Sequence, residues 1–168
     1  MFHSITAFAR FGTVCLLTLL VACSTGKSKV GGFFNLDTDV KIIFYVDANI
    51  NPDDNGKPAP LFIRLYELKS NKMFEKADFI DLYERDEETL GGDFLSKVSL
   101  KPFTPGQDRV EKMVLSPDAQ YVGLFAEFLR YKGSSYKIIF PVVSNNVFTN
   151  SAKIRISGNK ITITSGKQ

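Results

Sequence analysis

Apolar and polar residues alternate along most of the chain after residue 39, and this alternation predicts β-strands. In the first such segment, one face carries Val40, Ile42, Phe44, Val46 and Ala48. Its other face carries Lys41, Ile43, Tyr45 and Asp47. The second segment, 61–68, places Leu61, Ile63 and Leu65 opposite Phe62, Arg64 and Tyr66. Further strands are predicted at about 94–100, 108–115, 120–130 and 136–143.

The last part of the chain predicts a β-hairpin. Gly158 and Asn159 are suited to a two-residue turn, and the apolar residues on either side of it fall on one face: Ile154, Ile156, Ile161 and Ile163. Lys153, Arg155 and Lys160 then point outward, where they either meet anionic lipid or, as we favour, protect an exposed sheet face or edge. Eight short strands separated by turns predict a mainly β fold, a two-sheet sandwich.

Residues 70–92 break the alternation and predict one or two short helices inserted after the second strand. Phe79, Leu82 and Tyr83 have helical spacing, Asp78 is the expected N-cap, and the pair of glycines at 91 and 92 is the expected end. The remaining side chains are expected to point outward: Asp81, Glu84, Arg85, Asp86, Glu87 and Glu88.

The first 22 residues have the character of a secretory signal. Arg10 is their only charge, and the apolar run that follows, 14–22, is too short to span a bilayer. The run ends in a sequence that resembles the lipobox of bacterial lipoproteins, in which the cysteine receives a diacylglyceryl group and acyl chains and becomes the mature N-terminus: Leu20, Val21, Ala22 and Cys23. We therefore expect a signal peptide at 1–22 that is removed, and a lipid on Cys23.

The predicted mature protein has a tether and one domain. Residues 23–39 are the acylated N-terminus and tether, in which Phe33, Phe34 and Leu36 could dock onto the domain at 40–168. Ser24 is not the aspartate that retains enterobacterial lipoproteins in the inner membrane. The expected location is therefore the inner leaflet of the outer membrane, with the domain in the periplasm.

Composition argues against catalysis by the predicted mature chain. The only histidine, His3, and one of the two cysteines, Cys15, leave with the signal, and Cys23 carries lipid. Serine–histidine and cysteine nucleophiles and ordinary zinc sites are then excluded, and no glycine-rich phosphate loop or distinct carboxylate pair is present. The net charge is only +3 and the basic residues are dispersed. We therefore predict no enzyme, no metal, no cofactor beyond the lipid, no small-molecule substrate and no nucleic-acid partner.

The connection between the first two strands is long for a hairpin, and three prolines stiffen it. A stiff loop loses little entropy on binding, so we predict a partner-binding surface. Its residues are Asn49, Ile50, Asn51, Pro52, Asp53, Asp54, Asn55, Gly56, Lys57 and Pro58. An alternative is a calcium loop at 51–56, although the position of the bidentate glutamate falls on Phe62. A surface loop without a function is the third interpretation.

In order and spacing, these segments resemble the TssJ (SciN) family of outer-membrane lipoproteins of the type VI secretion system. The resemblance rests on the lipobox, on 49–60, on the strand 63–69, and on Phe74, Ala77, Asp78, Phe79, Leu82, Leu90, Gly91, Asp93, Phe94 and Leu95. It implies a transthyretin-like sandwich of two four-stranded sheets with a helical insertion. It also implies that the loop at 49–60 binds the periplasmic domain of the inner-membrane protein TssM, in a complex that includes TssL.

With this role, Asp53, Asp54 and Lys57 would be exposed charges that set register and encounter rate, while Ile50 and the prolines would supply apolar contact. Two other functions remain open. One is a periplasmic lipoprotein that binds a small ligand or ion, and the other is a lipoprotein inhibitor of a cell-wall enzyme that uses the same loop.

Overall fold

The computed structural model describes residues 38–143 and 150–164. The chain divides into two units, Met1–Phe34 and Asn35–Gln168, and every described residue belongs to the second. The predicted signal peptide, lipobox and tether, including Phe33, Phe34 and Leu36, therefore lie outside the described residues.

Eight strands form two sheets of four, which confirms the predicted sandwich. The strands are β1 Thr38–Val46, β2 Ile63–Leu68, β3 Phe94–Ser99, β4 Arg109–Leu115, β5 Tyr121–Ala126, β6 Lys137–Pro141, β7 Asn150–Ser157 and β8 Lys160–Ile163. One sheet has the order β4-β1-β7-β8 and is named here the open sheet; the other has the order β3-β2-β5-β6 and is named the covered sheet. All pairs are antiparallel except β1 with β7, which are parallel.

The core between the sheets follows the predicted alternation. Val40, Ile42 and Phe44 are buried on β1, and their neighbours in sequence are only partly buried. The facing strands β2 and β5 contribute Ile63, Leu65, Val122 and Leu124, and β7 and β8 of the same sheet contribute Ile154, Ile156 and Ile161. The predicted inward face of the last hairpin is confirmed for three of its isoleucines, but Ile163, at the end of the edge strand β8, is 45% exposed. Removal of this apolar surface from water is the main stabilising term of the sandwich.

A second apolar core lies on the outer face of the covered sheet. Three short helices, α1 Lys72–Lys76, α2 Phe79–Glu84 and α3 Asp86–Leu90, are followed by a 3-10 turn at Gly91–Asp93. Their apolar side chains pack on Tyr66, Leu68 and Phe125 of the sheet, and they are Phe74, Ala77, Phe79, Leu82 and Leu90. β2 and β5 are therefore buried on both faces, which fits the uncharged sequence of β5, whereas β2 keeps two charged residues, Arg64 and Glu67.

The helical insertion begins and ends largely as predicted. Asp78 is the N-cap of α2, and its Oδ1 accepts a hydrogen bond from the amide of Asp81 at 2.9 Å. In turn, the carboxylate of Asp81 accepts a hydrogen bond from the amide of Asp78. This reciprocal capping box satisfies two amides that the first turn of a helix leaves without partners. The glycines follow α3 directly, as expected, but the segment contains three short helices rather than one or two.

Asp86 does not point outward as predicted; it is only 6% exposed and lies between the helices and the covered sheet. Its Oδ2 accepts hydrogen bonds from Tyr66 Oη at 2.8 Å and from Arg64 Nη1 at 3.1 Å, and its Oδ1 accepts one from Lys97 Nζ at 3.0 Å. Burial raises the pKa of this carboxyl, but the bonds from Lys97 and Tyr66 outweigh it and hold the pKa below its usual value. Burial and the bond to Asp86 raise the pKa of Tyr66.

Candidate functional site

The loop at 49–60 leaves the end of β1 and crosses to the covered sheet, and Asn51 fixes its base. This side chain is 1% exposed: its Nδ2 donates to the carbonyl of Pro60 at 2.8 Å, and its Oδ1 accepts from the amide of Leu129 at 2.8 Å. The backbone amide of Asn51 donates to the carbonyl of Gly158 at 2.9 Å. Its φ is 47°, in the left-handed region that asparagine tolerates better than most residues. Asn51 therefore ties three segments together.

Asp53 organises the tip of the loop. One carboxylate oxygen, Oδ1, accepts hydrogen bonds from the amides of Asn55 at 2.9 Å and Lys57 at 2.8 Å. The backbone of Asp53 also bonds to Lys57 and Gly56, at 2.9 and 3.0 Å. Gly56 has a φ of 76°, which a residue with a Cβ rarely adopts. The tip is thus held in one shape by its own atoms.

The structure corrects two expectations about how this loop would contact a partner. Ile50 is completely buried in the core between the sheets, so its side chain provides no apolar contact at the surface. Asp53 is only partly exposed, and one oxygen of its carboxylate, Oδ1, accepts two hydrogen bonds from the loop backbone. Asp54 and Lys57 are exposed, as expected. The sequence pattern did not show these differences because an irregular loop has no period that separates inward from outward positions.

The described loop does not have the character of a calcium site. The oxygens at the first two ligand positions, on Asn51 and Asp53, already accept hydrogen bonds from backbone amides. In the part of the chain that the structure describes, no group of three or more histidine, cysteine or acidic side chains could hold a metal ion. The ion-binding alternative therefore has no cluster of ligating side chains among the described residues to support it.

Two large apolar side chains beside the loop base were not among the predicted site residues. Phe62 is 53% exposed and Leu129 is 60% exposed. They are neighbours of the loop because Leu129 bonds to Asn51 through its amide, while the carbonyl of Phe62 accepts a hydrogen bond from the amide of Glu127 at 2.9 Å. Together with exposed Pro60 they form what we name the loop-base patch.

The alternation in 61–68 already placed Phe62 on the face opposite Leu61, which is a signal for an outward aromatic residue. Leu129 carried no such signal, because the predicted strand 120–130 in fact ends at Ala126 and a turn follows. Only the hydrogen bonds of the folded loop bring Leu129 to the base of 49–60.

The membrane-related predictions concern other residues. Leu20, Val21, Ala22 and Cys23 lie outside the described residues, so the expected acylation stays a prediction. Among the helices of the described ranges, none combines the length and the apolar character needed to cross a membrane.

Comparison with solved structures finds several secretion lipoproteins with the same fold. The crystal structure of the T6SS lipoprotein TssJ1 from Pseudomonas aeruginosa is 27% identical, with a TM-score of 0.70 over 79% of this chain and 98% of that one. Lip from Serratia marcescens, described as a membrane-bound component of the type VI secretion system, is 25% identical, with a TM-score of 0.69 over 79% of this chain and 99% of that one.

A chain in a structure titled "Type VI membrane complex" is 26% identical, with a TM-score of 0.67 over 77% of this chain and 99% of that one. A comparison with curated proteins gives no match.

The family model described as "Type VI secretion lipoprotein, VasD, EvfM, TssJ, VC_A0113" matches residues 38–160. This match spans more than half of the chain, and it includes β1 to β7, the helical insertion and the loop at 49–60. The resemblance noted in the sequence is therefore confirmed: the chain belongs to the TssJ (SciN) family of type VI secretion lipoproteins.

Proposed function

We propose that this lipoprotein is held in the inner leaflet of the outer membrane by acylated Cys23 and docks the periplasmic domain of TssM through the loop at 49–60 and the loop-base patch. In this proposal TssL belongs to the same complex but does not contact this protein directly. The observation that carries the proposal is the preorganised loop, whose shape is set by Asn51 and Asp53 rather than by a partner.

The chain direction supports the arrangement. Cys23 precedes Thr38, where β1 begins, whereas the loop leaves the other end of β1 after Val46. At about 3.3 Å per residue, a strand of this length separates the two ends by roughly 25–30 Å. The loop therefore lies at the opposite end of β1 from Thr38, the first described residue after the acylated segment in the sequence.

The exposed chemistry of the loop suits a protein partner. A rigid loop loses little conformational entropy on binding, and partly exposed aromatic residues often contribute much of the binding energy at interfaces. Here Phe62 and Leu129 replace Ile50 as the apolar contacts, and Asp54 and Lys57 in the loop tip are exposed charges that would affect the association rate.

The comparisons support the same assignment. The family is one of secretion lipoproteins, and one similar chain comes from a structure titled "Type VI membrane complex". Neither the small-ligand nor the inhibitor alternative has a comparable observation in its favour.

Binding to the purified periplasmic domain of TssM tests the proposal. Truncation of Phe62 and Leu129 to alanine should weaken binding by about tenfold or more, since residues that dominate an interface contribute 1–2 kcal/mol or more each. Val114→Ala is the matched control, because Val114 has the same exposure as Leu129, 60%, but lies on the open sheet.

Isothermal titration calorimetry and the urea unfolding midpoint should be measured for each variant. Unchanged affinity in the double variant, with wild-type stability, would contradict the proposed interface. Isolation of a cell-wall enzyme instead of TssM with the tagged protein from gently solubilised envelopes would favour the inhibitor alternative.

A further inference from the structure

The outer face of the open sheet combines basic and apolar side chains, and no described helix covers it. Its basic residues are Lys41 on β1, Lys112 on β4, Lys153 and Arg155 on β7, and Lys160 on β8. Between them lie half-buried Ile43 and Tyr45 and the more exposed Val110 and Val114, at 49% and 60%. The acidic residues on this face, Asp39 and Asp47, stand at its two ends.

Strand register concentrates the positive charge. Lys41 is directly opposite Lys112 across the β1–β4 pair, and Lys153 is opposite Ile43 across the β1–β7 pair. Arg155 is neutralised by Asp47, whose Oδ1 lies 2.9 Å from Nη1. Among the described residues, no carboxylate forms an ion pair with the four lysines of this face. Two lysines directly opposite each other destabilise a sheet unless something else neutralises them.

The charge is segregated between the two sides of the sandwich. The helical insertion at 70–93, which covers the opposite side, has eight acidic residues and three basic ones. The acidic residues are Glu75, Asp78, Asp81, Glu84, Asp86, Glu87, Glu88 and Asp93. Acidic and basic residues are equal in number over 38–143 and 150–164, so the basic face does not reflect a generally basic domain.

Protection of sheet edges does not explain the pattern. Lys112 and Lys160 are on the edge strands β4 and β8, where a lysine can discourage pairing with another chain. Lys41, Lys153 and Arg155 are on the central strands β1 and β7, which already have partners on both sides. The interpretation favoured from the sequence is that Lys153, Arg155 and Lys160 protect an exposed sheet face or edge; protection of an edge accounts for Lys160 but not for Lys153 and Arg155.

A depression opens beside the two opposed lysines. It has a volume of about 360 Å³, and its lining consists of Asp39, Val40, Lys41, Lys112, Met113 and Val114. A lining with two lysines and one aspartate has a net positive charge, which suits a phosphate-bearing headgroup.

We propose that the outer face of the open sheet rests on the anionic phospholipids of the membrane that holds the acylated chain. The proposal rests on acylation of Cys23, which lies fifteen residues before the first residue of β1. A segment of that length spans at most about 50 Å, so the face stays within reach of the bilayer. Each basic residue near an anionic surface contributes roughly fivefold in partitioning, and apolar side chains between the lysines suit the interfacial region.

This contact leaves the proposed partner site free. The loop at 49–60 lies at the end of the sandwich, between the two sheets, and not on the face of either. The domain can therefore contact lipid and protein at the same time, and the lipid contact would orient the loop for its partner.

The absence of tryptophan from the chain makes the orientation measurable with single reporters. Val110→Trp places a reporter on the open sheet, near the end of β4 that is remote from Thr38, and Ile80→Trp places one on α2 at similar exposure. The acylated proteins would be reconstituted in phosphatidylcholine vesicles with bromine-labelled acyl chains, with or without phosphatidylglycerol. Fluorescence quenching should be strong only for Val110→Trp with phosphatidylglycerol, and high salt should remove it.

A charge variant tests the lysines themselves. Lys41→Gln, Lys112→Gln and Lys153→Gln together should abolish the phosphatidylglycerol-dependent quenching of the Val110→Trp reporter. The matched control changes three exposed lysines near the helical insertion, Lys69, Lys72 and Lys76, to glutamine and should leave the quenching unchanged. The salt dependence of quenching in the Val110→Trp protein, which keeps all its lysines, is a second test that does not depend on the folding of the triple variant.

Equal quenching of the two reporters, or quenching of Val110→Trp that is independent of phosphatidylglycerol, would overturn the proposal. A fluorescence change at Val110→Trp that depends on protein density but not on lipid charge would indicate a second copy of the chain on this face and would also overturn it. Neither result would bear on binding of TssM, which is measured with the soluble partner.

Discussion

The two sheets of this sandwich share one core but differ on their outer faces. The outer face of the covered sheet is largely apolar, with Arg64 and Lys97 bonded to Asp86, and three helices pack on it around Phe74, Phe79 and Leu82. The outer face of the open sheet is exposed and carries lysines that lack carboxylate partners among the described residues. Stability and surface contacts therefore depend on different faces of the sandwich. The covered face contributes a second core, whereas the open face and the loop remain available for contacts.

The largest expected difference between the two faces concerns their apolar residues. Phe74→Ala should lower the free energy of unfolding by about 4 kcal/mol, because the ring is 1% exposed and its removal leaves a cavity under the helices. Val114→Ala on the open sheet should change it by about 0.5 kcal/mol or less. Urea unfolding of both variants checks the contrast, and equal effects would mean that the helices contribute little to stability.

The next effect concerns the ionic attachment of the helices. Asp86→Asn should lower the free energy of unfolding by about 3 kcal/mol at neutral pH, because Arg64 and Lys97 lose the buried carboxylate that they share. Glu84→Gln, an exposed change in the same insertion, is the control.

We also expect the stability difference between the wild type and Asp86→Asn to depend on pH. Because the pKa of Asp86 is lowered in the folded state, its contribution is complete above the ordinary carboxyl pKa of about 4 and is lost as pH falls through the folded value. The stability difference between wild type and Asp86→Asn should therefore shrink as the pH falls below about 4. A constant difference down to low pH would show that the carboxylate charge is not what holds the helices.

A smaller loss of stability is expected from a change at Gly123 on β5, which is in close contact with Phe74 of α1. A Cβ at Gly123 would lie 2.9 Å from the ring of Phe74, so Gly123→Ala requires the buried ring to shift. We expect a loss of about 2 kcal/mol, typical of overpacking. In a protein that already carries Phe74→Leu, the same glycine change should cost less stability than it does in the wild type. Thermal unfolding of the wild type, the two single variants and the double variant measures this coupling. An equal cost of Gly123→Ala in both backgrounds would show that the strain does not come from the ring of Phe74.

The smallest effect has the opposite sign. Lys112→Gln on the open sheet removes one of two directly opposed charges and should raise the free energy of unfolding by about 0.5 kcal/mol at low ionic strength, and by less at high salt. Unfolding at two salt concentrations checks this. A loss of stability would show that Lys112 has a structural partner on this face.

Much of the covered side could be predicted from the sequence, and the exception is instructive. The alternation located the strands, Asp78 located the start of α2, and the two glycines located the end of α3. Asp86 was missed because it stands in an acidic run that is typical of a solvated helix end. Its three partners, Arg64, Tyr66 and Lys97, are distant in sequence or on another element, and no local pattern identifies them.

The candidate site was predicted as a segment but not as a surface. The length and prolines of 49–60 identified the loop, yet the inward position of Ile50, the role of Asn51 at the base and the exposure of Leu129 all depend on bonds between separate segments. Polar and apolar residues in an irregular loop can point either way, and the sequence supplies no period that would decide between them.

The features that could be read from the chain were local: the strands, the start of α2, the end of α3, and the resemblance to the family whose model matches residues 38–160. Period-two alternation and end caps act between near neighbours, so they can be read along the chain. The tertiary structure alone decided the sheet orders, the burial of Asp86 and the gathering of lysines on the open sheet. These depend on which strands become neighbours, and that choice is made by packing across the whole domain, in which Lys41 meets Lys112 although 71 positions separate them in the chain.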